Sequence, residues 1–157
     1  MPRPISAGLL LYRLRGDTCE VLLVHPGGPF WTLKDLGAWT LPKGEVATEE
    51  DPLVAAQREL TEETGLVAEG PFVSLGEIRQ AGGKRVLAWA CAGDWDPSKL
   101  VSNTFELEWP PRSGRLMTYP EVDRAEWFPL EMARDKMNAG QRPFLERLQE
   151  QLARGNS

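Results

Sequence analysis

Short apolar runs recur along the chain at two distinct spacings. Residues 6–13 (SAGLLLYR) and 20–25 (EVLLVH) are compact apolar runs that predict β-strands. The polar link Arg15-Gly16-Asp17-Thr18 between them predicts a hairpin. A loop rich in Gly and Pro follows over residues 26–37 and carries Phe30 and Trp31. Such a loop is a candidate rim for a ligand site. Residues 38–41 predict a short strand that stops at Pro42. Strands are also expected over 72–80 and 85–92, around a Gly82-Gly83 turn, and at Glu126-Trp127-Phe128. The stretch 94–119 is broken by Pro97, Pro110, Pro111 and Gly114 and predicts one short strand near 105–109.

Helical spacing governs the rest. Residues 52–64 form the clearest helix, with Asp51 suited to the N-cap, Pro52 to the first turn and Gly65 to the C-cap. Two further helices are expected over 130–137 and 143–153, the second with Leu145, Leu148 and Leu152 on one face. The first few residues and the last four, 154–157, read as frayed ends. Mixed strands and helices with one long internal helix predict an α/β sandwich.

The helix over 52–64 carries the candidate chemistry. Glu59, Glu62 and Glu63 stand at i, i+3 and i+4, which places three carboxylates on one side. Leu53, Ala56 and Leu60 form an adjacent stripe that predicts packing into the core. Clustered carboxylates repel one another, and a hard divalent cation such as Mg²⁺ or Mn²⁺ relieves that repulsion.

Composition adds bounds. A chain of 157 residues with 41% hydrophobic and 26% charged residues predicts one domain, 1–157, with a sizeable core. The net charge of −5 argues against binding to duplex nucleic acid or to a membrane surface, yet a bound cation would still allow an anionic substrate. Cys19 and Cys91 sit in strand-like runs and read as reduced thiols. No secretory signal is evident, so a cytoplasmic location is expected. His25 stands alone at a strand end and reads as structural.

The residues around the three glutamates form a pattern. Gly44 is followed by Glu50, Arg58, Glu59, apolar Leu60, Glu62, Glu63, Gly65 and apolar Leu66. Seven fixed and two apolar positions recur by chance on the order of 10⁻⁹ per window, so chance does not compete. The segment 44–66 resembles the Nudix box at every defined position. Trp39, Pro42-Lys43, the opening strand and Glu126-Trp127-Phe128 look like further elements of that family.

The resemblance implies a Nudix-type α/β/α sandwich with a mixed sheet. It implies Mg²⁺- or Mn²⁺-dependent hydrolysis of a diphosphate linkage in a nucleotide-type small molecule. It also implies that Glu59, Glu62, Glu63 and the Gly44 carbonyl hold the cation, and that Glu50 and Arg58 brace the loop against the helix. The proton acceptor is then Glu59 or Glu62, or a downstream glutamate such as Glu106, Glu108 or Glu121.

The substrate is less sharply marked. Lys43 offers a cation to a phosphate oxygen, and the run WTLPKG resembles hydrolases of dinucleoside polyphosphates. The downstream Tyr of that class and the Pro of the ADP-ribose class are both missing from the Gln80 to Lys84 region. A nucleoside triphosphate pyrophosphohydrolase acting on oxidised nucleotides, and a non-catalytic nucleotide-binding module, remain as alternatives. Phe30, Trp31, Trp39 and Trp109 are candidate platforms for a base.

Overall fold

The structure is a computed structural model and describes residues 4–155; the expectations for residues 1–3, 156 and 157 lie outside the described residues. Its centre is β1 (Ile5–Arg15), which joins β2 (Thr18–Pro26) through the expected hairpin. On the other side β1 runs parallel to β5 (Arg85–Ala92), which pairs antiparallel with β4 (Val73–Arg79). The outer neighbour of β2 is β8 (Val122–Pro129), giving the order β4-β5-β1-β2-β8. One parallel pair among antiparallel ones makes the sheet mixed, as expected.

Both faces of the sheet are covered. Successive residues of β1 point to opposite faces, so Leu10 joins one core while Leu9 and Leu11 join the other. On the first face lie α2 (Leu130–Lys136) and α3 (Pro143–Gly155), with Ala133, Phe144, Leu145 and Leu148 buried. On the second lies α1 (Pro52–Thr64), with Ala55, Ala56 and Leu60 buried and Leu53 packed at the margin. The result is an α/β/α sandwich. No helix among the described residues is long and apolar enough to cross a membrane.

Three differences from the sequence expectation share one cause. Residues 38–41 make only isolated bridges, Thr40 to Val24 and Trp39 to Met137. The strand lies instead at β3 (Lys43–Glu45), three polar or small residues with no strand signature. It is extended because Ser6, Ala7 and Gly8 of β1 offer it a free edge. Within 94–119, β6 (Thr104–Glu108) is joined by an unexpected partner, β7 (Leu116–Pro120), whose apolar residues are largely exposed. The last strand begins four residues before Glu126 because β2 pairs with it through a register shift at His25 and Pro26. Pairing with a distant edge, not local pattern, decides all three.

Candidate active site

The loop that follows β3 leads into α1. Asp51 accepts from the Val54 N–H at 3.3 Å, and Gly65 closes the helix with φ of 85°. The apolar stripe fixes the helix on the sheet, and that orientation decides where the three glutamates go. Glu62 is the most exposed of them, with 37% of its side chain accessible, against 13% for Glu59. Glu63 is buried, at 7%.

Gly44 on β3 lies directly under Glu59. A Cβ at Gly44 would overlap the Glu59 carboxylate, so no other residue leaves this space. The β3 backbone and the α1 glutamates are thereby brought into contact.

Arg58 ties the loop to the helix. Its Nε and Nη2 donate to the two oxygens of Glu50 at 2.9 and 3.0 Å, and Nη2 also donates to the Glu45 carbonyl at 3.0 Å. Nη1 donates to Glu59 at 2.9 Å and to Glu62 at 3.1 Å. Glu50 further accepts from the Ala47 N–H at 3.0 Å. The Arg58 guanidinium, with that N–H, holds the Glu50 pKa down at about 2. Arg58 in turn is raised above its ordinary value, first by Glu50.

Glu63 has the opposite surroundings. Burial, reinforced by the charge of Glu59, pushes its pKa up to about 9, against the pull of Lys43. Its Oε2 is buried with no hydrogen-bond partner. Glu59 is also raised, by burial above all, with Arg58 opposing.

Of the downstream glutamates, Glu121 reaches this region. Its charge acts on both Glu59 and Glu63. Its backbone N–H donates to the Asn103 carbonyl, and the Asn103 N–H donates to the Glu62 carbonyl, each at 2.8 Å. Glu106 and Glu108 lie exposed on β6.

Among the described residues, no three His, Cys, Asp or Glu side chains are gathered around one point to hold an ion. The set Glu59, Glu62, Glu63 and Gly44 is therefore adjacent without being drawn up as a cage. Arg58 holds Glu59 and Glu62, while Glu63 lies deeper. The set still fits a hard cation. A buried carboxylate oxygen without a donor, with the charge of Glu59 acting on it and Glu59 in turn against the Gly44 backbone, suits Mg²⁺ or Mn²⁺.

A cleft of about 390 Å³ opens beside the glutamates, lined by Trp31, Thr40, Lys43, Lys84 and Gln141 among others. Burial lowers the Lys43 pKa, and the neighbouring Lys84 lowers it further. Lys84 and Gln141 carry no sequence signal, since a lysine in a turn and a glutamine near a helix start are common. Trp39 is corrected as a base platform. It is 1% exposed and packs edge-on against His25 and Phe128, with ring centroids 5.1 and 4.9 Å away. Phe30 packs edge-on against Trp109 at 5.2 Å, and Trp31 alone of the four lines the cleft.

A mixed sheet between helical layers, with an acidic helix face beside a basic cleft, defines the class: an α/β/α sandwich built around a charged site. Residues 2–148 match the family model of the NUDIX domain, and the chain belongs to that family. It is 34% identical over 107 residues to an RNA pyrophosphohydrolase of Rhizobium meliloti, covering 59% of each chain. It is 36% identical over 77 residues to Nudix hydrolase 7 of Arabidopsis thaliana, covering 49% of this chain and 25% of that one. The matches thus span 59% and 25% of those two relatives. Among solved structures, a C. elegans Ap4A hydrolase binary complex shares the fold with TM-score 0.65 and 24% identity, over 94% of this chain and 98% of that one. The NUDIX domain of Shewanella oneidensis NrtR complexed with ADP ribose gives TM-score 0.65 and 18% identity, over 97% and 90%.

Proposed function

We propose that the protein is a Nudix hydrolase that cleaves a diphosphate linkage in a nucleotide-type substrate with Mg²⁺ or Mn²⁺. The observation that carries this reading is the unpartnered, buried Oε2 of Glu63, set beside Glu59 and facing the charge of Glu121. A buried carboxylate oxygen with no donor, beside the charges of Glu59 and Glu121, is unfavourable unless a cation joins it. Glu59, Glu62, Glu63 and the Gly44 carbonyl would hold it. When bound, the cation supplies neutralisation of the diphosphate charge and a lowered pKa for water.

The chain's own groups do the rest. Arg58 fixes Glu50, Glu59 and Glu62 in one frame, so the carboxylates meet the substrate without reorganising. Glu121 is exposed, reaches the cluster and is not held by Arg58, which favours it over Glu59 and Glu62 as the proton acceptor. Lys43 extends its ammonium from β3 beside Glu63 and Glu59 and would hold a phosphate oxygen. The names RNA pyrophosphohydrolase and Ap4A hydrolase among relatives and fold neighbours favour a nucleotide anhydride. The free thiols Cys19 and Cys91 favour a reducing compartment such as the cytoplasm.

The test is phosphate or pyrophosphate release from a nucleotide panel, with Mg²⁺ and then with EDTA. Hydrolysis in Mg²⁺ that EDTA abolishes is the expected result. No hydrolysis of any member in Mg²⁺ or Mn²⁺ would make the chain a binding module instead.

A further inference from the structure

Strands β2 and β8 fall out of register at one point. The partners run Val24 to Ala125, His25 to Arg124, then Pro26 to Val122, which leaves Asp123 as the extra residue of a bulge. Pro26 has no N–H to give the ladder, so pairing cannot continue through it unchanged. Just beyond, the Gly27 N–H donates to the Glu121 carbonyl at 2.9 Å, and a Cβ at Gly27 would overlap the Pro120 carbonyl. A bulge re-aims the chain beside it, and the chain beside this one is Glu121.

The extra residue is held from the side by His25. That ring is 0% exposed, with Nδ1 2.7 Å from Asp123 Oδ1 and Nε2 2.7 Å from the Lys34 carbonyl. A carbonyl only accepts, so Nε2 carries a proton. Asp123 is partly exposed and has the Arg124 Nε 3.9 Å from the same oxygen, which favours the carboxylate over the acid. A carboxylate also only accepts, so Nδ1 carries a proton as well. The ring is then an imidazolium that donates at both ends. The other charges nearby are engaged elsewhere. Asp35 accepts from the Trp39 Nε1 and pairs with Lys136 of α2, and the Lys34 ammonium lies over the Trp31 ring. Trp39, edge-on to His25 at 5.1 Å, has no acceptor to offer it. Each end of the imidazolium therefore holds a different segment: the β8 bulge next to Glu121, and the loop that carries Trp31 to the cleft.

We propose that His25 is a positioning residue: donating from both ring nitrogens, it clamps the β8 bulge to the loop after β2 and so fixes Glu121 against the carboxylates of α1. This rests on the hydrolase reading above for the role of Glu121 as proton acceptor. Glu121 is then tied on one side to α1, through Asn103 and the Glu62 carbonyl, and on the other to His25, through the bulge. A group held from two sides meets the reacting atoms without searching for them.

The experiment has two arms. In the first, the full chain without metal is followed by NMR at about pH 7.5. His25 is the only histidine, so its ring signals need no assignment. Two ring N–H signals with the ¹⁵N shifts of an imidazolium are expected. Asp123→Asn keeps size and shape on a partly exposed side chain, so the fold is retained. It should speed amide exchange at Gly27 and Glu121 about tenfold or more while the buried amides of β1 keep their rates. A ring with a single N–H, unchanged exchange at both amides, or equal acceleration in β1 would overturn the clamp. In the second arm, kcat is measured with Mg²⁺ on the panel nucleotide that is hydrolysed fastest. Asp123→Asn should lower it about tenfold in the wild-type background and by less than about twofold in a Glu121→Gln background, because the pair acts through the Glu121 carboxylate. Equal losses in both backgrounds would overturn that route. A doubly protonated ring and the expected exchange, without hydrolysis of any nucleotide, would keep the clamp and end the hydrolase reading. Hydrolysis with a singly protonated ring would do the reverse.

Discussion

Glu63 links ionisation to stability. Its pKa is 4.5 for an ordinary glutamate and about 9 in the fold, raised by burial and by Glu59. Between these values the folded chain keeps a proton that the unfolded chain has released. Stability of the metal-free protein therefore falls as pH rises through that window. In EDTA the melting temperature of the wild type should drop from mildly acid to mildly alkaline pH, and Glu63→Gln should flatten that drop. Parallel melting curves for the two proteins would show that Glu63 stays ionised. Glu50 has the opposite sign. Its pKa is held at about 2 by Arg58, so its contribution is present above the ordinary glutamate value and is lost only in strong acid. For activity, Glu63→Gln should reduce turnover about 100-fold or more while leaving the protein folded. Turnover near the wild-type value would remove Glu63 from the cation site.

At the scale of elements, the site is a contact between β3 and α1. Helix α1 is seated by Leu60, which is fully buried between Ala55, Ala56 and the β1 face. Leu60→Ala should lower stability by about 2–5 kcal/mol, read from chemical denaturation. An unchanged midpoint would mean that the helix is held by something other than this stripe. Gly44 is the counterpart on the strand. In Gly44→Ala the new methyl displaces the Glu59 carboxylate, and with Glu59 in the proposed cation site a displacement of about 1 Å should lower turnover on the order of 10²-fold. Turnover should fall much further than the melting temperature. A loss of stability with normal turnover per folded molecule would show that Glu59 moves freely.

At the scale of the molecule, two cores of opposite facing hold three separate segments in one place. The loop after β2 is tied down by His25, whose ring nitrogens lie 2.7 Å from both Asp123 on β8 and the Lys34 carbonyl. That tie sets Trp31 at the cleft, opposite Lys84 from the β4–β5 turn and Gln141 from the segment before α3. Lys43 lines this cleft and also interacts with Glu63 and Glu59. Such a layout favours an extended polyphosphate, and kcat/KM should be higher for dinucleoside polyphosphates than for ADP-ribose. A value for ADP-ribose tenfold above the others, about 1.4 kcal/mol in transition-state binding, would reverse that order. A clear advantage for an oxidised nucleoside triphosphate would move the preference to nucleotide-pool cleansing.

The sequence by itself determined what depends on neighbours within one or two turns. The bounds of α1, with Asp51 and Gly65 as caps, follow from local hydrogen bonding and backbone freedom. The spacing of Glu59, Glu62 and Glu63 follows from helical period, and β1, β2 and β5 from runs of apolar residues. Only the tertiary structure decided which edges were free and which distant groups met across them. It made a strand of Lys43–Glu45, paired β7 with β6, buried Trp39, and sank Glu63 while leaving Glu62 at the surface. It set Glu121 near the carboxylates and Lys84 and Gln141 beside Lys43, from positions 41 to 98 residues away in the chain. No local pattern encodes these meetings, because burial and pairing across such separations are settled by how the whole sheet and its two layers pack.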